Sequence, residues 1–280
     1  MARALYFVLL LCGFGAIPHV AGAAPHRILS LNVCADQYIL ALADRGSIAA
    51  LSEFAVDPQL SAAADRARRL PRSKGRLEEV LRINPDLVVI DAFYPARTVE
   101  LARARGIRVV AMQTERGFPD IVANVRAVAR AIGKPKAGER LIADMTRDLA
   151  AQGALPGRGR VAAHYQRRGF VTGTGTLLDD MMRRVGLVNL AAARAIGPLG
   201  RLSLEEIAMA RPDFVIMDDD LTNVRDKGAE MLVHPVLARA IPADRRIAFP
   251  SAYTVCGGPH YPAAVHLLAA RIGQVARARR

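Results

Sequence analysis

The side chains best equipped for chemistry in this chain are two cysteines, Cys34 and Cys256, with His260 close behind the second. A thiolate beside a histidine base is the start of a nucleophilic site, but no third residue at a definable spacing orients such a pair. An exported α/β enzyme with a cysteine nucleophile is therefore the weaker reading. The six histidines are scattered, with no His-x-x-x-His pair, which argues against a dedicated zinc or manganese ion site. Gly173-Thr174-Gly175-Thr176 ahead of a helical stretch has the outline of a phosphate cradle. It lacks the third glycine and any Gly-Lys-Thr, so a tight turn is expected. Asp218-Asp219-Asp220 are adjacent on an extended chain and cannot all point the same way, which favours a solvated loop over a cation site.

The elements that must position these groups are marked by a duplicated stretch. Leu77-Glu78-Glu79-Val80 leads through Asn84-Pro85-Asp86 into Leu87-Val88-Val89-Ile90-Asp91, and Leu204-Glu205-Glu206-Ile207 leads through Arg211-Pro212-Asp213 into Phe214-Val215-Ile216-Met217-Asp218. The pairing keeps one spacing without a gap. Each copy reads as a short helix, a Pro-Asp turn and a buried strand. Two copies predict two similarly built lobes, and two lobes make a cleft.

Around each copy, helical and strand patterns alternate, which predicts an α/β fold of two lobes with mainly parallel sheets. Strands are expected at 27–31, 48–51, 87–90, 108–112, 160–163, 214–217 and 246–249, with extended chain at 170–172. Asp36 is read as the cap of a helix over 37–43. The longest helical pattern, 118–152, lies between the lobes and is read as a linking spine, with Gly133-Lys134-Pro135 predicting a kink or two helices. The organisation is 1–23 signal peptide, 24–117 N-terminal lobe, 118–152 spine and 153–280 C-terminal lobe. In open parallel sheets, ligands sit beyond the carboxyl ends of the strands. Six loops qualify: 32–36, 91–95, 113–118, 164–169, 218–226 and 250–260.

Arg3, an uncharged apolar run from Ala4 to Ile17 and the small residues Ala21-Gly22-Ala23 have the layout of a cleaved secretory signal. No later segment is long and apolar enough to cross a bilayer. Cys12 leaves with the signal, so Cys34 and Cys256 remain as an even pair in an oxidising compartment, either joined or as two unrelated buried thiols. The formal charge of +13 would suit nucleic acid, but the 39 Lys and Arg are scattered, aromatics make up only 5% and Trp is absent. Platforms for stacking bases are scarce, so nucleic acid is not an expected partner.

The export signal, the opening strand Arg27-Ile28-Leu29-Ser30-Leu31, the twice-written Glu…Pro-Asp sentence and the central helical segment together resemble the periplasmic binding proteins that deliver cobalamin and ferric siderophores to ABC importers. The resemblance covers roughly 26–275. It implies a periplasmic solute-binding protein, without catalysis or a resident cofactor or metal, whose cargo is a small-molecule metal chelate. Its partner would be the ABC permease dimer of the inner membrane. One acidic residue on each lobe docks on that permease in the family; the matching positions here are Glu78 and Glu205.

That cargo gives the strand-end loops a chemistry. An anionic chelate suits arginines, of which Arg116 and Arg168 fall in or beside cleft loops, ahead of Arg72, Arg97, Arg167 and Arg201. Phe93, Tyr94, Tyr165 and Tyr253 could pack on a flat ring or catechol. His164 or a tyrosine could complete the coordination of an incompletely chelated iron, with His260 and Tyr261 at the rim. Cobalamin binders of this family tend to use Trp, which this chain lacks. For Cys34 and Cys256 the cargo adds a third reading, a thiol touching its metal.

Overall fold

The computed structural model describes residues 24–153, 155–218, 228 and 230–278. The proposed signal peptide, 1–23, and most of the acidic loop, including Asp219 and Asp220, lie outside the described residues. In chain order the N-terminal lobe holds β1 (Ile28–Ser30), α1 (Val33–Leu42), β2 (Ile48–Ser52), α2 (Ala64–Ala67), β3 (Arg72–Ser73), α3 (Leu77–Ile83), β4 (Leu87–Ile90), α4 (Ala96–Ala104) and β5 (Arg108–Ala111). Two helices follow, α5 (Phe118–Ala131) and α6 (Pro135–Ala150). The C-terminal lobe holds β6 (Val161–His164), β7 (Phe170–Thr172), α7 (Leu177–Arg184), β8 (Val188–Asn189), α8 (Leu190–Ala193), β9 (Leu199–Arg201), α9 (Leu204–Ala210), β10 (Phe214–Asp218), α10 (Glu230–Val233), α11 (Pro235–Ala240), β11 (Arg246–Phe249), α12 (Ala252–Val255) and α13 (Tyr261–Ala278).

Each lobe is built on a parallel sheet, ordered β3-β2-β1-β4-β5 in the first and β11-β10-β6-β8 in the second, with β7 and β9 forming a small antiparallel ribbon. Among the described residues no helix is long and apolar enough to cross a membrane. The duplicated sentence folds the same way twice. α3 and α9 both end in a left-handed residue, Asn84 (φ 47°) and Arg211 (φ 44°), at matching positions. The Pro-Asp turn then does the same work in each lobe. Asp86 Oδ2 accepts from the His26 and Arg27 N–H groups (2.8 and 3.0 Å), and Asp213 Oδ2 accepts from the Val161 N–H (2.9 Å). Each aspartate thus satisfies backbone donors at or just before the start of the neighbouring strand, β1 or β6, groups that the ladder leaves unpaired.

One expectation changes. Asn32, not Asp36, caps the first helix: its Oδ1 accepts from the Ala35 N–H (2.7 Å), and α1 starts at Val33 rather than Gln37. Asp36 is buried inside that helix, where it accepts from the Ser52 N–H (3.0 Å) and hydroxyl (2.5 Å). Of the two outcomes expected for 118–152, a kink or two helices, the structure has two helices, and they run antiparallel. Gly133 takes a left-handed φ of 76°, which ends α5, and Pro135, with no N–H to satisfy, opens α6. The pair packs tightly enough that a Cβ on Gly138 would lie 2.5 Å from Ala129 Cβ, and Arg126 pairs with Glu139 across it (2.8 Å).

α5 rests on α1, and α6 rests on α13. The largest core cluster therefore runs from Tyr38 and Ile39 through Ile121 and Val125 to Met181, Leu268 and Ile272, spanning both lobes. The core is continuous beneath the lobes, and a groove opens above it.

Candidate functional site

A cleft of about 760 Å³ lies between the carboxyl ends of the two parallel sheets. One wall comes from residues before 118: Cys34 after β1, Asp91 to Phe93 after β4, and Met112 to Arg116 at and beyond the end of β5. The facing wall comes from residues after 160: His164 and Gln166, Thr172, Gly175 to Leu178, Pro198 and Leu199, Asp218, and Ser251, Thr254, Val255 and Gly257. Each of the six strand-end loops contributes at least one lining residue. Two further segments, 175–178 and 198–199, also line the cleft and were not signalled by the sequence pattern. The first follows β7 and the second leads into β9, strands too short to carry a clear alternation.

His164 ends β6 and is 3% exposed. Its Nδ1 lies 2.8 Å from Thr172 Oγ1 and 2.9 Å from Gln166 Nε2, and its Nε2 lies 3.2 Å from Asp218 Oδ1. The ring is thereby fixed from both sides at the base of the C-terminal wall. On the opposite wall Glu115 accepts from the Tyr38 hydroxyl, Asn124 Nδ2 (3.2 Å) and the Gly257 N–H (2.7 Å). Burial raises its carboxyl above the usual range despite these donors. In α7, Asp180 accepts from the Tyr261 hydroxyl, Arg184 Nε (2.9 Å) and the Phe118 N–H (3.3 Å). Burial pushes Asp180 up, but these bonds outweigh it and hold the carboxyl below its ordinary value. Phe93 and Leu199 stand on opposite rims, 80% and 62% exposed.

The structure sorts the candidate residues. Cys34 and Arg116 line the cleft. Cys34 and Cys256 are joined in a disulfide, with Cα atoms 5.2 Å apart, so neither sulfur is a free thiol. Cys256 is buried behind Val255 and Gly257, which do face the cleft. Phe93 and His164 line it too, whereas Tyr94, Tyr165, Arg168, Tyr253 and His260 do not. Tyr165 points into the C-terminal core and donates to the Leu202 carbonyl (3.2 Å), and burial lifts its hydroxyl to about 12. Successive strand residues face opposite ways, so His164 reaches the cleft and Tyr165 cannot. Tyr94 turns away to donate to the Gly75 carbonyl (2.9 Å), leaving its neighbour Phe93 at the rim. Arg168 is exposed on a left-handed turn outside the cleft. Tyr253 and His260 pack on each other behind the wall, ring centroids 5.5 Å apart. His260 Nε2 lies 3.2 Å from the Cys256 carbonyl, and burial lowers its pKa to about 4. Arg116 is the one cleft residue among the six arginine candidates.

Glu78 and Glu205 occupy matching, exposed places in the first turns of α3 and α9. Their neighbours are committed to local structure. Glu79 accepts from Ser73 Oγ and the Lys74 N–H (both 2.7 Å), and Glu206 closes a capping box with Ser203. Among the described residues, Glu78 and Glu205 make no hydrogen bond or ion pair.

Residues 28–247 match the family model described as periplasmic binding protein. The chain belongs to the periplasmic binding protein family. The match runs from the start of β1 into β11, short of the cleft segment 251–257. Among solved structures this periplasmic binding protein is similar to the periplasmic heme-binding protein RhuT from Roseiflexus sp. RS-1, with 28% identity, a TM-score of 0.72, and 90% of this chain and 99% of that chain covered. The vitamin B12 binding protein BtuF of Vibrio cholerae shares the fold at 18% identity and a TM-score of 0.67, covering 91% and 99%. Among curated proteins, the cobalamin-binding protein of Halobacterium salinarum is 26% identical over 217 residues, 75% of this chain. The chain spans 58% of the length of that relative.

Proposed function

We propose that this chain is the solute-binding component of an ABC importer, working in the periplasm and carrying a metal chelate of tetrapyrrole type in the interlobe cleft. The observation that carries the reading is the cleft's make-up. It has the size of a small-molecule site. Phe93, Met112, Leu177, Leu178, Leu199 and Val255 give it opposed apolar surfaces. Among its described lining residues Arg116 is the one Lys or Arg, beside the carboxyls of Asp91, Glu115 and Asp218. A polyanionic ferric catecholate calls for several charge-assisted donors. A largely apolar, flat corrinoid or haem needs faces to lie between and one or two polar groups to orient it. The names of the 28%-identical heme-binding and 26%-identical cobalamin-binding relatives agree with this class.

The importer half of the proposal rests on Glu78 and Glu205, a free carboxylate at the same place on each lobe, suited to two basic sites on a symmetric permease dimer. A cysteine-dependent enzyme gains no support: the Cys34–Cys256 bond ties up both sulfurs, and His260 is turned to a backbone carbonyl. A bare-ion site gains none either, since among the described residues no three His, Cys, Asp or Glu gather to hold a metal.

Calorimetric titration against cyanocobalamin, cobinamide, haemin and the catecholate, hydroxamate and citrate complexes of iron tests the proposal. Saturable binding of a tetrapyrrole is expected. Binding of an iron siderophore with no response to any tetrapyrrole would overturn the ligand class.

A further inference from the structure

The segment that follows β11 belongs by sequence to the C-terminal lobe, yet it is fastened to the other lobe at two adjacent residues. Cys256 is bonded to Cys34, the second residue of α1. The next residue, Gly257, donates its N–H to Glu115 Oε2 (2.7 Å), beyond the end of β5. Glu115 is in turn held by the Tyr38 hydroxyl on α1 and by Asn124 Nδ2 on α5, and Asn124 Oδ1 accepts the Gln113 N–H (3.0 Å). The approach is close: a Cβ on Gly257 would lie 2.6 Å from Glu115 Oε2, so any larger residue there would push the Glu115 carboxylate aside. Between β11 and this double anchor, Ser251, Thr254 and Val255 line the cleft, with Val255 47% exposed.

We propose that the Cys34–Cys256 disulfide and Glu115 are positioning groups that hold segment 251–257 as a preformed wall of the ligand site. The inference rests on reading the cleft as the binding site. Its physical content is a population. Unfastened, the segment reaches its binding geometry only part of the time, and apparent affinity falls by that fraction. A pre-equilibrium of this kind slows association and leaves dissociation of the formed complex unchanged. A lost ligand contact does the reverse, since it acts on the off-rate.

The test compares wild type, C34S/C256S, Glu115→Ala and Glu115→Gln by stopped-flow binding of haemin and cyanocobalamin, and by hydrogen exchange of amides 252–257 in the ligand-free protein. Glutamine keeps an acceptor for the Gly257 N–H and loses the charge. Expected are faster exchange across 252–257 and about tenfold slower association in C34S/C256S and Glu115→Ala, for a wall competent one-tenth of the time. Unchanged off-rates and recovery towards wild type in Glu115→Gln complete the expected result. Reduction of the wild-type disulfide gives the same comparison if C34S/C256S fails to fold. Unchanged exchange in both C34S/C256S and Glu115→Ala would overturn the proposal, as would a loss confined to the off-rate. If wild type binds neither probe, the ligand class fails, and the exchange experiment still decides the positioning role by itself.

Discussion

Replacing the turn aspartates, Asp86→Ala and Asp213→Ala, tests whether the duplicated sentence does the same structural work twice. Asp86 serves two backbone donors in an exposed setting, and Asp213 serves one in a half-buried setting. A net hydrogen bond contributes about 0.5–1.5 kcal/mol, and exposure allows water to replace part of it. Each single substitution should therefore cost about 1 kcal/mol. The two sites serve different sheets and share no partner, so the costs should add to about 2 kcal/mol in the double variant. For a chain of this size each kcal/mol shifts Tm by about 2–4 °C, giving a drop of about 4–8 °C for the pair. Urea and thermal unfolding followed by far-ultraviolet circular dichroism would measure both quantities. Two singles indistinguishable from wild type, or a double variant no worse than either single, would refute the equivalence.

Other outcomes follow from the same contacts. Arg211→Gly should raise stability by about 0.5–1 kcal/mol in urea unfolding, because Arg211 sits at φ 44° where glycine is unstrained. Asn84→Gly, at φ 47°, should change little, since asparagine tolerates that region. Asp180 has a folded-state pKa below its unfolded value, so its stabilisation is present above about pH 4 and is lost as pH falls through the folded value. Asp180→Asn should thus cost about 1–3 kcal/mol at pH 7, with the gap to wild type closing in acid denaturation profiles towards pH 2. Glu78→Ala combined with Glu205→Ala should leave chelate affinity in calorimetry unchanged while abolishing uptake through the importer. Normal uptake by that variant would remove the docking role.

The parts of this fold that could be read from the chain were those with period and repetition. The run 77–91 and its copy 204–218 announced two lobes, and apolar runs such as Leu87–Ile90 and Arg246–Phe249 matched strands of the two sheets. Placing loops at strand ends located the cleft. What failed was the direction of single side chains. Tyr165 and Tyr94 sit in the right loops but face away, one by strand alternation and one by turning to the Gly75 carbonyl. Arg168 itself takes a left-handed conformation (φ 57°) that sequence does not announce. Glu115 carried no signal, because its role depends on Tyr38, Asn124 and Gly257, brought together only by the fold. The helix hairpin at 118–150 was half legible: Gly133 and Pro135 marked the break, but the fold-back of α6 onto α5 depends on the close contact of Gly138 with Ala129.

Anomalous diffraction at the iron edge, from crystals grown with haemin, tests the central claim most directly. The account predicts a strong peak inside the cleft, between the wall bearing Phe93 and Thr114 and the wall bearing Thr176 and Leu199. A peak on the outer surface, or a cleft left empty both by saturating haemin and, at the cobalt edge, by saturating cyanocobalamin, would contradict it.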